Sequence, residues 1–259
     1  MDNVLQHFRK DEAPFIAQVQ SDIETAAGEY RPVLTDFLDP RQVYITETLV
    51  NQVDGVKLFS FGGVPQAERQ RVLIAPDYFV PTPEDYEVAA LEINYPQKFA
   101  ELDHSHILGT LANAGINRDL FGDIVSDGKR WQVIVAASMS TWVQTNIDKI
   151  GRIGVRFEPI DLDQLVTPTN DWESAQLTIP SLRIDAVVAH VFNISRTRAK
   201  SLVEHELVRL NFAVIARPDV EVDVHDILSV RGFGRLRIQA VLGTTKKDKL
   251  RVTADVIHK

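Results

Sequence analysis

Residues 195–203 read SRTRAKSLV and predict a short basic helix in the last third of the chain. Ser195 stands at the N-cap position, where a hydroxyl can accept a hydrogen bond from the first helical turn. At helical spacing the segment has an apolar face and basic flanks, formed by Ala199, Leu202 and Val203 and by Arg196, Arg198 and Lys200 respectively. The helix can therefore bury its apolar face and still present three cations to a polyanion.

Charge is divided unevenly along the chain. Residues 182–259 contain 14 of the 28 Lys and Arg but only 9 of the 36 Asp and Glu, a net charge of +5. Residues 1–181 hold 14 bases against 27 acids, a net of −13, so the whole-chain value of −8 hides a basic module. A basic module on an acidic body is typical of a protein that presents one face to nucleic acid.

Composition limits the class of protein. A length of 259 residues allows one large domain or two to three small ones. The absence of cysteine excludes disulfides, thiol nucleophiles and cysteine zinc sites. The sequence has no apolar run of the roughly 20 residues that span a bilayer, and no signal-peptide core. We expect a cytoplasmic protein without a cofactor, a metal, a membrane partner or a small-molecule substrate.

We expect an α+β fold of three small domains. Residues 1–83 predict an N-terminal α/β cap. It would have an amphipathic helix after Pro14, a helix stop at 35–40, and a hairpin of Val56–Phe61 with Arg71–Ala75. Its boundary lies at Pro81 and Pro83.

Residues 84–160 follow the order β-α-β-β-α-β, which predicts a ferredoxin-like split βαβ domain, the fold of RNA-recognition modules. The expected elements are strands at 88–93, 121–125, 130–136 and 154–157 and helices at 104–114 and 140–150. Residues 161–180 read as a linker, and 181–259 as the basic module.

The basic module resembles the S4 RNA-binding domain. Four short motifs carry the resemblance, namely Arg183-Ile184-Asp185, Ser195-Arg196-Thr197-Arg198-Ala199, Val208-Arg209-Leu210-Asn211 and His225-Asp226-Ile227. Glu206 and Phe212 stand where the family commonly has glycine. The resemblance implies an S4 (αL-type) RNA-binding fold for residues 181–259.

Motifs along most of the chain are similar to those of the bacterial YlmH family. They are Phe61-Gly62-Gly63, Ala67-Glu68-Arg69, Ala75-Pro76-Asp77-Tyr78, Lys149 to Val155, Ser229 to Arg235 and Gly243 to Lys249. This resemblance implies a non-catalytic protein that binds 23S rRNA and tRNA on large (50S) ribosomal subunits obstructed by peptidyl-tRNA. It also implies support of tail elongation in ribosome-associated quality control.

The candidate RNA-binding residues all lie in the basic module: Arg183, Ser195, Arg196, Arg198, Lys200, Asn211, Arg231, Arg235, Arg237, Lys246 and Lys247. Arg231, Arg235 and Arg237 alternate and can share one face of a strand. The alternatives are solvated surface charges, a cap only for Ser195, and a turn held by Asn211.

The sequence also allows alternative interpretations of a few residues and of the function. His104-x-His106 invites a metal site, but a surface pair at the start of a helix capped by Asp103 fits better. Trp131 lacks the surrounding motif of RNA-recognition modules and is interpreted as a core or partner-facing residue. An S4-containing pseudouridine synthase and a protein-interaction adaptor are the alternative functions.

Overall fold

The computed structural model describes residues 8–65, 67–167 and 172–259. The chain divides into two compact units, an N-terminal unit of residues 1–169 and a C-terminal unit of residues 170–259. Both units mix helices with antiparallel sheets, which confirms the α+β class. Within the described ranges, no helix is both long enough and apolar enough to cross a membrane.

The first part of the N-terminal unit packs two helices on a three-stranded sheet. The elements are α1 (Ala13–Glu29), β1 (Val33–Leu38), α2 (Pro40–Val50), β2 (Val56–Phe61) and β3 (Gln70–Pro76). The predicted hairpin of β2 and β3 is confirmed, with β3 central in the order β1-β3-β2. The core uses the predicted apolar stripe of α1, since Ile16, Val19 and Ile23 are buried in it.

The predicted helix stop at 35–40 is wrong. Residues 33–38 form strand β1, and Asp39 then caps α2 by accepting a hydrogen bond from the Gln42 backbone N–H at 2.9 Å. The Asp-Pro pair therefore starts a helix, as proline is well suited to the first helical turn.

The second part of the N-terminal unit has the predicted β-α-β-β-α-β order. Its elements are β4 (Val88–Asn94), α3 (His104–Asn113), β5 (Phe121–Ser126), β6 (Trp131–Ala136), α4 (Ala137–Asn146), β7 (Lys149–Ile150), β8 (Ile153–Gly154) and β9 (Arg156–Ile160). The four long strands form the central sheet in the order β5-β6-β4-β9, with every neighbouring pair antiparallel. This is the strand arrangement of a split βαβ fold.

The helix predicted at 140–150 is displaced. Helix α4 begins at Ala137 and ends at Asn146, directly after β6. Lys149–Ile150 instead pairs with Ile153–Gly154 in a two-stranded hairpin. Gly151 has φ +61° in its turn, so this glycine serves a tight turn rather than a helix end.

The central sheet buries residues on both of its faces. One face packs on the two helices through Leu91, Val133, Ile107 and Val143, among others. The other face presents Ile134 and Ala136 to Phe37 from β1 and to Val64 and Val166. Gly122 permits this packing, because a Cβ there would lie 2.8 Å from the Phe37 ring.

The C-terminal unit packs two helices on one six-stranded sheet. Its elements are β10 (Glu173–Ile179), α5 (Ile184–Val191), α6 (Arg196–Glu204), β11 (Val208–Leu210), β12 (Ala213–Val214), β13 (Ile227–Val230), β14 (Gly234–Thr244) and β15 (Leu250–His258). The strand order is β10-β15-β14-β13-β11-β12. Buried side chains from α5, α6 and alternate positions of the strands form its core.

The predicted linker at 161–180 needs correction. Residues 173–179 form β10, which pairs along its whole length with β15 at the edge of the C-terminal sheet. Leu162–Gln164 forms a 3₁₀ turn, and Val166 is buried in the N-terminal unit. Residues 168–171, which carry the linker-like Pro168, Asn170 and Asp171, lie outside the described residues.

Candidate RNA-binding site

The start of α6 is built as the sequence predicts. The Ser195 hydroxyl accepts a hydrogen bond from the Arg198 backbone N–H at 3.2 Å and so caps the helix. Ala199 and Val203 are fully buried, whereas Arg196, Arg198 and Lys200 are exposed. The three cations therefore surround the N-terminal half of a short helix whose apolar face is fixed in the core.

Asp185 holds two of the candidate arginines. Its carboxylate accepts hydrogen bonds from Arg183 (Nε to Oδ1 and Nη2 to Oδ2, both 3.1 Å) and from Arg196 (Nε to Oδ2, 3.1 Å). The Asp185 side chain is 5% exposed, while those of Arg183 and Arg196 are 37% and 56% exposed. One buried carboxylate thus fixes two guanidinium groups that remain open to solvent.

The ionisation of Asp185 follows from these contacts. Burial on its own would raise the pKa of the Asp185 carboxyl, but the hydrogen bonds and charges of Arg183 and Arg196 together hold that pKa below its ordinary value. Asp185 is therefore an anion at neutral pH. Two guanidinium groups against one carboxylate leave the cluster with a net charge of about +1.

The two other cations of α6 are less constrained. The Arg198 guanidinium lies 5.4 Å from the centre of the Phe233 ring, a cation–π distance. Lys200 Nζ lies 3.5 Å from Glu204 Oε1, one helical turn away, and both side chains are about half exposed. Exposed pairs of this kind contribute little to stability, so Lys200 can exchange Glu204 for a phosphate at small cost.

Asn211 serves the turn rather than an open surface. Its side-chain amide donates to Asp226 Oδ1 at 2.8 Å and accepts from the Ile227 backbone N–H at 2.9 Å. Its φ is +47°, in the left-handed region that Asn tolerates. Glu206 and Phe212, which replace the family's glycines, also have positive φ, +60° and +68°, so the backbone keeps the conformation that glycine favours.

Arg231 does not share a strand with Arg235 and Arg237, contrary to the prediction. It lies in the turn between β13 and β14, where Gly232 has φ +84°. Arg235 and Arg237 do lie on one face of β14, with the buried Leu236 on the other. Arg231 is exposed at the end of the sheet, whereas Arg235 and Arg237 lie on a face of the sheet.

Lys246 and Lys247 occupy the turn of the long β14–β15 hairpin, and both are exposed. The Thr245 hydroxyl accepts hydrogen bonds from the backbone N–H groups of Lys247 and Lys249 and orders the turn. The structure therefore places most candidate residues in three groups, the helix start, the sheet face and the hairpin tip, whereas Asn211 and Arg231 lie in turns of the sheet.

Sequence reasoning missed three positioning residues. Asp185 was recognised only as part of a motif, although it fixes Arg183 and Arg196. Phe233 stands only within the motif Ser229 to Arg235 and Trp172 in no motif, although each lies against a candidate arginine. An aromatic residue close in sequence to arginines is a pattern that could have indicated such a contact. Phe233 has this pattern, and Trp172 does not.

Asp103, His106 and Trp131 have structural roles. Asp103 caps α3 through the backbone N–H of His106 at 3.0 Å, as predicted, and its carboxylate also contacts the His106 ring. Among the described residues, no group of three or more His, Asp or Glu could hold a metal ion. Trp131 packs against the core of the central sheet, in line with its interpretation as a core residue.

Comparison with known proteins agrees with this architecture. The chain is 41% identical over 253 residues to the "Ribosome-associated protein quality control protein P2" of Bacillus subtilis (strain 168), and the alignment covers 98% of each chain. The model of the YlmH N-terminal domain matches residues 11–79. The chain belongs to the YlmH family.

A solved YlmH structure supports the assignment. The "Cell division protein ylmH from Streptococcus pneumoniae" is 36% identical, with a TM-score of 0.54, over 62% of this chain and 98% of that one. A second YlmH family model, described as "Putative RNA-binding domain in YlmH", matches residues 81–164. That range is the region of the central sheet, whereas every candidate residue predicted from the sequence lies C-terminal to it.

Proposed function

We propose that this YlmH protein binds RNA on the ribosome through its C-terminal unit. The observation that carries the proposal is the cluster at the start of α6, where Asp185 fixes Arg183 and Arg196 beside Arg198 and Lys200. Fixed guanidinium groups bind phosphates well because their planar donors are already oriented and lose little entropy on binding. The net charge of +5 in residues 182–259 favours the same ligand.

The specific target we propose is the large ribosomal subunit obstructed by peptidyl-tRNA, with 23S rRNA and tRNA as the contacted RNAs. The name of the Bacillus relative, which refers to ribosome-associated quality control, supports this proposal. On such subunits the protein would assist tail elongation by holding the tRNA and the rRNA in place, in the cytoplasm. It would carry out no chemistry itself.

Co-sedimentation with purified 50S subunits at increasing salt concentration tests the proposal. The double variant Lys200→Glu with Arg231→Glu reverses two exposed cations without touching the Asp185 cluster. We expect it to lower the apparent affinity by about tenfold or more at physiological salt, since phosphate contacts dominate such binding. A matched control, Lys10→Glu with Lys57→Glu, reverses two exposed lysines of the N-terminal unit and should co-sediment as the wild type does.

Equal co-sedimentation of the two double variants would contradict the proposal. A loss in both variants would assign the binding to general charge rather than to this surface. The alternative of a pseudouridine synthase is tested separately by incubating the purified protein with a model rRNA. We expect no pseudouridine in that RNA, and its appearance would show a catalytic function.

A further inference from the structure

The outer face of the C-terminal sheet carries a second group of cations and aromatic rings. The inner face of this sheet packs on α5 and α6. On the outer face, cross-strand pairing aligns Arg209 with Ser229, Ser229 with Arg235, and Arg235 with Ile257. Arg209 is exposed, and Ser229 and Arg235 are partly exposed. The row therefore crosses four strands on a face that the helices leave open.

Two arginines of this face stack on aromatic rings. The Arg235 guanidinium lies 5.3 Å from the centre of the Trp172 ring and 6.0 Å from that of Phe212. The Arg237 guanidinium lies 4.6 Å from the Trp172 ring. Trp172, directly before the edge strand β10, is thus held against two guanidinium groups while part of its surface stays accessible.

Among the described residues, the Asp255 carboxylate lies beside this stack and forms an ion pair with Arg237. Asp255 accepts hydrogen bonds from Arg237 Nε at 2.8 Å and from Gln239 Nε2 at 2.7 Å. Burial would raise the pKa of the Asp255 carboxyl, but these two hydrogen bonds and the Arg237 charge together lower it. Asp255 therefore orients Arg237, one of the two arginines that stack on Trp172.

Alternating cations and aromatic rings on an open sheet are the features that bind single-stranded nucleic acid. Bases stack on aromatic rings or guanidinium planes, and the backbone phosphates contact arginines. Trp172, Phe212, Arg235 and Arg209 provide both kinds of contact on one surface. The +5 charge of the surrounding module favours a polyanion over a protein partner.

We infer that this outer sheet face is a second RNA-contact surface, on which an unpaired base of a single-stranded segment stacks at Trp172 and its flanking phosphates bind Arg235 and Arg209. The inference extends the proposed function, because it adds a single-stranded contact to the phosphate contacts of α6. It also gives Arg235 a direct role and gives Arg237 the role of a positioning residue.

Trp172 fluorescence in the full chain tests the inference. The variant Trp131→Phe with Trp142→Phe keeps Trp172 as its only tryptophan. Titration with a uridine decamer at low salt should quench this fluorescence with a saturating curve. Trp172→Leu in the otherwise native chain should weaken binding of the same decamer about five- to a hundredfold, the range that loss of one stacked base produces.

Two controls separate stacking from folding. Trp172→Phe keeps an aromatic ring and should bind within about threefold of the wild type if stacking is the interaction. Phe99→Leu removes a ring that is 90% exposed in the N-terminal unit and should leave decamer binding unchanged. A melting curve of each variant shows whether β10 remains attached to the sheet.

The outcomes also separate this inference from the proposed function. No quenching together with unchanged decamer binding by Trp172→Leu would overturn the inference. Equal loss of decamer binding in Trp172→Phe and Trp172→Leu, with normal melting, would also overturn it. In either case, the proposed function stands if Lys200→Glu lowers the co-sedimentation of the protein with 50S subunits. If Lys200→Glu does not lower it, the proposed function itself is contradicted.

Discussion

The central four-stranded sheet and the C-terminal six-stranded sheet each pack two helices on one face, but their other faces differ. In the central sheet, Phe37, Val64 and Val166 cover the β5–β6 part of the second face. Gln132, fully buried there, donates to Glu92 Oε2 at 2.9 Å and accepts from the Val166 backbone N–H at 2.7 Å. In the C-terminal sheet the second face keeps partly exposed arginines and aromatic rings.

A fold class therefore does not locate a binding surface. RNA-recognition modules use the open face of a split βαβ sheet to stack bases. Here Phe37, Val64 and Val166 bury the β5–β6 part of that face, while Glu158 on its β9 side is half exposed. We therefore expect an RNA contact within residues 81–164 to use helices, edges or turns. The C-terminal sheet, by contrast, has its polar face and the start of α6 available. The surfaces that remain exposed, rather than the fold class, determine where a partner can bind.

The largest expected effect comes from uncovering the central sheet. Phe37→Ala removes a fully buried ring that lies between β1 and the central sheet, and should lower the free energy of unfolding by about 3–5 kcal/mol. Thermal or denaturant unfolding of the full chain measures this change. Phe99→Ala, at a 90% exposed ring, should change stability by no more than about 0.5 kcal/mol. Similar losses in the two variants would show that the central sheet is not closed by Phe37.

A smaller effect is expected at the Asp185 cluster. Arg196→Glu removes one of the two guanidinium partners of a buried carboxylate and places a second carboxylate beside it. We expect a loss of about 1–2 kcal/mol in unfolding free energy, because Arg196 is itself half exposed. Lys200→Glu, on the same helix, should cost no more than about 0.5 kcal/mol.

Both substitutions should weaken RNA binding, so comparing melting curves with 50S co-sedimentation separates their effects on fold and on affinity. The contact of Arg196 with Asp185 is the reason to expect a loss of stability as well as of affinity in Arg196→Glu. Equal stability of the Arg196→Glu and Lys200→Glu variants would show that the Asp185 cluster contributes nothing to the fold.

One carboxyl group of the N-terminal unit, Asp123, should respond to acid with the opposite sign to Asp185 and Asp255 of the C-terminal unit. Burial, followed by the charge of Glu68, raises the pKa of Asp123 to about 6, while its carboxylate accepts the backbone N–H groups of Glu68 and Arg69. A folded-state pKa raised above the unfolded value contributes stability at low pH and loses it as pH rises through about 6. The N-terminal unit should therefore lose about 1 kcal/mol between pH 5 and pH 7.

The C-terminal unit should lose stability only in stronger acid, because the lowered pKa values of Asp185 and Asp255 contribute above the ordinary aspartate pKa and are lost below it. Hydrogen exchange of each unit at several pH values measures both trends. Asp123→Asn should remove the change between pH 5 and pH 7. If it persists in that variant, another group is responsible.

The smallest expected effect distinguishes the two regions as RNA surfaces. Arg231→Ala removes one exposed cation beside the C-terminal sheet, and Arg152→Ala removes one in the β7–β8 turn of the central region. We expect Arg231→Ala to flatten the log–log salt dependence of RNA binding by about 0.7–0.9, the value of one phosphate contact. Arg152→Ala should leave the slope unchanged. The reverse result would move the principal RNA surface to residues 81–164.

The local elements of this protein and the residues that mark its basic module follow from short stretches of sequence. The apolar period of α1, the cap at Ser195 and the β-α-β-β-α-β order could be read because they depend on neighbouring residues. The misassigned segments were those whose state depends on distant partners. Residues 33–38 pair with β3, and residues 173–179 pair with β15 about 80 positions further along the chain.

Which charged groups are exposed and which surfaces are buried depends on the tertiary structure. It brought Arg183 and Arg196 to one buried carboxylate, placed Trp172 against Arg235 and Arg237, and closed the central sheet with Phe37. None of these contacts can be predicted from neighbouring residues, because the partner of a side chain depends on which distant segments the fold brings close to it. The physical reason is that charge and stacking depend on distances of a few ångströms between residues far apart in sequence.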